Sequence, residues 1–83
     1  MISLLSLIKT MGLKLIVSNM LIGIVKNWND LKGWGFIEDH EGNDYFFNIS
    51  NVRKGVKVRE GMNVKFDSFP GQRGDEAENV SSV

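Results

Sequence analysis

Lys32-Gly33-Trp34-Gly35-Phe36-Ile37 is the segment of this chain best suited to chemistry, and the chemistry is recognition rather than catalysis. On an extended strand Trp34 and Phe36 share one face, because they stand two apart, while Ile37 points to the other. The glycines beside them leave the ring faces uncrowded, so a flat heterocycle can approach. Lys32 stands at the strand entrance, where it can reach a phosphate. Two aromatics at this spacing can also be half of a hydrophobic core. Ile37 already supplies the inward residue, however, and glycines beside buried rings would leave cavities.

A second aromatic segment follows, Asp44-Tyr45-Phe46-Phe47-Asn48. Alternation puts Tyr45 and Phe47 on one face and Asp44, Phe46 and Asn48 on the other. If Tyr45 and Phe47 join Ile37 and Val25 inside, Phe46 lies outside beside Trp34 and Phe36. An open patch of three rings is unusual on a protein without a ligand. It suits a sheet on which unpaired bases stack. In the third segment, Gly23-Ile24-Val25-Lys26-Asn27-Trp28-Asn29, Lys26 is expected to face the same groove and Trp28 to add a fourth ring at its edge. Interleaved rings and cations are the mixture used by single-strand binders, where stacking contributes about 1–3 kcal/mol per base.

Composition removes the main alternatives. There is no cysteine, so disulfides and thiolate zinc sites are out, and the one histidine, His40, cannot make a histidine-rich metal site or a catalytic triad alone. His40 falls in a polar loop with Asp39 and Glu41. These acids with Asp44 lack the order of a cation-binding loop and read as hairpin surface charge. Gly71-Gln72-Arg73-Gly74 reads as a tight turn. We therefore expect no enzyme, no cofactor and no metal. Ten basic and ten acidic residues give zero formal charge, which excludes a strongly basic tail but not a basic face.

The elements that must position these residues are short strands. The expected strands are Leu21–Trp28, Trp34–Glu38, Asp44–Asn48, Met62–Phe69 and Ala77–Val83, with one helical turn somewhere in the Asn51–Glu60 connection. In the fourth, Val64 and Phe66 alternate with Asn63, Lys65 and Asp67. Five strands in a chain of 83 residues, with no sustained 3.6-residue period after residue 20, point to an all-β, five-stranded antiparallel barrel.

Residues 1–19 differ in character. They hold no acid, no aromatic and two lysines, Lys9 and Lys14, so all ten acids fall in residues 20–83. The apolar runs are too short and too interrupted for a membrane span, and the lysines sit inside them rather than before them, unlike a signal peptide. The segment is expected to be an apolar extension, helical or without fixed structure, ahead of a domain at 20–83. Met11 and Met20 are both candidate initiators, so residues 1–19 are read as an addition the native product can lack.

In order along the chain, these motifs resemble a bacterial-type cold-shock domain. The family's Gly-x-Val-Lys-Trp-Phe-Asn aligns with Gly23–Asn29 and its Lys-Gly-Phe-Gly-Phe-Ile with Lys32–Ile37. Its Asp-Val-Phe-Val-His-Phe-Ser aligns with Asp44–Ser50, its Glu-Gly-x-x-Val-x-Phe with Glu60–Phe66, and its closing run with Gly71–Val80. The resemblance implies an OB-fold barrel and a cytoplasmic, RNA-chaperone-like protein of the stress response and of transcription regulation. Such a protein binds single-stranded RNA and DNA as a monomer or weak dimer, with no small-molecule substrate and no membrane partner. It implies Lys26, Trp34, Phe36 and Phe46 as binding residues, with Lys32 and Arg73 as phosphate partners.

Departures qualify the site. Asn27 stands where the family's run has Trp and Trp28 where it has Phe, and Asn48 and Ile49 replace His and Phe. Asn27 and Asn48 can hydrogen-bond a base edge instead of stacking. Fewer platforms and few phosphate contacts imply weaker binding and a shallow salt dependence. A competing reading is a divergent OB-fold module for protein interaction or assembly, with weakened nucleic-acid binding and the apolar extension docked on a partner.

Overall fold

The computed structural model describes residues 20–83. The expectations for residues 1–19 lie outside the described residues. Five strands form: β1 Met20–Asn29, β2 Trp34–Asp39, β3 Asp44–Asn48, β4 Asn63–Gly71 and β5 Gly74–Ser82. The helical turn falls at Ile49–Asn51, earlier than expected. Its position follows from Asn48, whose side chain accepts from the Ser50 backbone N–H, while Asn51 returns a bond to the Asn48 backbone N–H. This reciprocal cap satisfies donors that a turn would otherwise leave open.

The strands close into a barrel in the order β1-β2-β3-β5-β4. The expected five-stranded antiparallel barrel forms, with four of its five seams antiparallel. β3 and β5 run parallel, pairing at Phe46 and Glu76, and a parallel bridge between Val52 and Val80 continues the contact. An odd number of strands cannot alternate in direction all the way round a closed ring, so one neighbouring pair must be parallel. Here that pair is the shortest contact of the five.

Inside lie Val25, Ile37, Tyr45, Phe47, Val58, Val64, Phe66, Ala77 and Val80, all buried. β3 and β4 each contribute a pair two residues apart, as a two-residue side-chain period requires, whereas β5 contributes Ala77 and Val80, three apart across an irregularity where Asn79 takes φ 55°. Tyr45 and Phe66 meet edge to face, with ring centroids 5.0 Å apart. The Tyr45 hydroxyl reaches the barrel mouth and donates to Asp39 Oδ2 at 2.9 Å, so the core carries no unsatisfied phenol.

Candidate nucleic-acid interface

The outer face of β1, β2 and β3 collects the candidate residues. β2 and β3 pair in register, with Phe36 opposite Phe46 and Trp34 opposite Asn48. The inward residues Ile37, Tyr45 and Phe47 are buried, which turns Trp34, Phe36 and Phe46 outward. The three rings form one patch, with centroid separations of 6.3 Å for Trp34–Phe36, 6.0 Å for Trp34–Phe46 and 5.6 Å for Phe36–Phe46. Two of these contacts are edge to face, so the rings brace one another and present a corrugated rather than flat surface. Trp34 is the most open of the three, at 37% exposure.

β1 departs from simple alternation at a bulge. Val25 lies opposite Ile37 and Asn27 opposite Phe36, so two residues of β1, Lys26 and Asn27, advance over a single step of β2. Lys26 and Asn27 are therefore both exposed on the outer face, and the next residue, Trp28, turns inward. The Glu60 carboxylate accepts from the Trp28 backbone N–H at 3.2 Å and so ties the bulge to the connection before β4.

This geometry sets the place of Trp28. One face of its indole stacks on buried Phe47 at 5.1 Å and 20°, and its Nε1 donates to Asp30. The ring reaches the surface only at the lip of a shallow cleft shared with Asn27, Leu31, Trp34 and Phe36. The bulge gives Lys26 and Trp28 different facings, and an inserted residue is invisible to a count of alternate positions.

Gly35 also acts differently from its expected part. It is buried, and a Cβ there would collide with the Asn27 carbonyl oxygen and lie 3.0 Å from the Trp28 Cα. Its missing side chain lets the bulged strand approach β2, rather than clearing space for a base. Gly33 sits at φ 71°, a left-handed conformation that closes the β1–β2 turn; its N–H donates to the Asn29 carbonyl at 2.7 Å.

The expected cations and amides take distinct positions. The Lys26 ammonium is held by the Asp44 carboxylate at 3.1 Å, both groups being about half exposed. Arg73, at the tip of the β4–β5 hairpin, lies with its guanidinium carbon 4.5 Å from the Phe46 ring centroid. It therefore caps an aromatic platform before it meets any phosphate. Lys32 is exposed at the entrance to β2. Asn48 Oδ1 accepts from the backbone N–H and hydroxyl of Ser50, which leaves its amide nitrogen as the group able to donate outward.

The acids of the β2–β3 loop do not converge on a cation. Asp39 accepts from the Asn43 and Glu41 backbone N–H groups, the Asn43 amide and the Tyr45 hydroxyl. Desolvation raises its pKa, but these hydrogen bonds outweigh it and hold the carboxyl at about 2. Asp39 is the anchor of its own turn. Tyr45 is pushed up to about 12, by burial first and then by its bond to Asp39 and the negative charge of Asp39, Asp75 and Glu41.

A closed five-stranded barrel with this outward aromatic patch has relatives. The 'Cold-shock' DNA-binding domain family matches residues 21–83. The chain belongs to the cold-shock domain family. Cold shock-like protein CspLB of Listeria monocytogenes is 42% identical over 66 residues, covering 77% of this chain and 100% of the relative. Cold shock-like protein CspC of Bacillus cereus is 45% identical over 60 residues, covering 70% and 92%, and major cold shock protein CspA of Pseudomonas aeruginosa is 41% identical over 69 residues, covering 81% and 100%. The solved structure of drosophila Unr CSD456 superposes with a TM-score of 0.68 over 90% of this chain and 30% of its own, at 17% identity, a likeness of fold. As a cold-shock domain, the chain is a nucleic-acid-binding protein and not an enzyme.

Proposed function

We propose that this cold-shock domain binds single-stranded RNA and DNA by stacking bases on Trp34, Phe36 and Phe46, and acts as an RNA-chaperone-like protein by holding transiently melted strands. The observation that carries the reading is the outward placement of all three rings, within 6.3 Å of one another, on a face that also bears Lys26 and Asn27. Duplex bases hide their faces from such a patch, whereas unpaired bases offer a π-face whatever their identity. Trp28 contributes at the cleft lip, and Asn27 and Asn48 offer amide groups to base edges. Lys32, Lys26 and Arg73 attract the backbone.

Titration with heptathymidine, followed by tryptophan emission, tests the reading. Quenching should saturate and be absent with duplex of the same sequence. With three cations facing the strand, log K should fall against log salt with a slope of about −2, at ~0.7 per neutralised phosphate. Absence of quenching at low salt would refute the proposal.

A further inference from the structure

The connection between the helical turn and β4 contains Arg53-Lys54-Gly55-Val56-Lys57-Val58-Arg59, a run with four cations and no acid. These are half of the eight basic residues in 20–83, and the base-stacking face uses none of them. All four are exposed, whereas Val56 is half-buried and Val58 is buried. The run is held in place by its backbone. The Arg53 N–H donates to the Val80 carbonyl at 2.8 Å and the Val56 N–H to the Arg53 carbonyl at 3.2 Å, with Gly55 turning the chain at φ 88°. Among the described residues Lys26 and Asp44 form the one ion pair, and residues 1–19 hold no acid, so no carboxylate neutralises these four. Two acids stand near and are engaged elsewhere. Glu60 accepts from the Trp28 backbone N–H; Asp67, which shares a shallow cleft with Arg53 and a fifth cation, Lys65, accepts from the Asn79 amide. Like charges fixed this close repel one another, and a polyanion relieves the repulsion.

We infer that residues 53–59 are a second contact region for the same single strand, binding the phosphates of nucleotides beyond those stacked on Trp34, Phe36 and Phe46. The inference rests on the base-stacking reading and extends its footprint past the aromatic face. Continuity selects this partner, because both ends of the connection abut that face. It begins after Asn48, which lies opposite Trp34, and the Ile49 N–H donates to the Gly33 carbonyl at 2.8 Å. It ends at Glu60, bonded to the Trp28 N–H at 3.2 Å, and at Gly61, whose N–H donates to the Val25 carbonyl at 2.9 Å. A strand seated on Trp34 and leaving by the Trp28 lip therefore runs onto the cations. A bilayer suits them less well, since no exposed apolar side chain lies among them to enter the acyl region.

Heptathymidine and tetradecathymidine, each titrated into the dilute full chain across a salt series and followed by tryptophan quenching, test this. Four further phosphates at ~0.7 each should steepen the slope of log K against log salt by about 2–3 for the longer strand. In Arg53→Gln/Lys54→Gln/Lys57→Gln/Arg59→Gln the two slopes should agree within about 0.7, the share of one phosphate. In the parent, bound tetradecathymidine should also shield Lys54 and Lys57 from acetylation, read by peptide mass, while heptathymidine leaves them open. Quenching by both strands with parent slopes that differ by less than about 0.7 overturns this inference and leaves the stacking face standing. No quenching by either strand overturns both. The same slope difference in parent and folded variant also overturns it, because strand length alone then produces the effect. If the variant does not fold, the parent decides: Lys54 and Lys57 open to acetylation under saturating tetradecathymidine refute the inference. Shielding of these lysines by phosphatidylserine vesicles but not by tetradecathymidine would overturn it as well, and assign the run to a membrane surface.

Discussion

Removing Phe46 is the sharpest perturbation of the proposed interface, because it stands at the centre of the patch. Its ring lies within 6.0 Å of Trp34, 5.6 Å of Phe36 and 4.5 Å of the Arg73 guanidinium. A lost platform is nominally worth about 1–3 kcal/mol. In the unbound protein, however, one face already interacts with Arg73, a contact of about 0.5–1 kcal/mol at an exposed site. A stacking base exchanges that contact for its own. The net loss in Phe46→Ala is then at most about 2.5 kcal/mol and about 1.2 kcal/mol at mid-range, or roughly sevenfold in Kd at ~1.4 kcal/mol per tenfold. Heptathymidine titration at fixed salt measures it, with thermal melting to confirm folding. Phe46→Leu serves as the control that keeps apolar bulk without a flat face, and it should bind nearly as poorly. A double-mutant cycle with Arg73→Gln should return a coupling of about 0.5–1 kcal/mol. If Phe46→Ala binds within about twofold of the parent and the coupling is nil, bases do not use this ring and the stacking account is wrong.

The remaining predictions concern the bulge and the Asp39–Tyr45 pair. Asn27→Trp places a ring on the outer face opposite Phe36 and should tighten heptathymidine binding by about 1–3 kcal/mol; unchanged affinity in a folded variant would show that the bulge does not deliver residue 27 to the strand. Asp39 is held at about 2, below its ordinary 3.8, so its contribution to stability is complete above about pH 4 and is lost as pH falls toward 2. Tyr45 is raised from 10.0 to about 12, so its contribution is complete below pH 10 and is lost as pH rises toward 12. The urea midpoint of the parent relative to Tyr45→Phe should therefore decline in both windows. A difference that stays constant from pH 2 to 12 would remove the pair from the ledger of pH-dependent stability.

Much of the site was legible in the chain because a strand has a side-chain period of two. Once Ile37 and Phe47 were placed inside, Trp34, Phe36 and Phe46 had to emerge together, and the structure sets their rings within 6.3 Å of one another. The five strands followed from the same period and from turn residues, with β3 matched at both ends and no boundary off by more than three positions. What depends on residues far apart in sequence was not legible. The bulge at Lys26–Asn27 is held by Glu60, 32 residues from Trp28, and it turns Trp28 onto Phe47. Arg73 meets Phe46, and Lys26 meets Asp44, only because barrel closure brings their strands or turns together. Composition and spacing thus determined which side chains of β2 and β3 face outward. Closure of the barrel decided which of them already have partners there, because pairing between distant strands is set by the register of the whole ring and not by any local pattern.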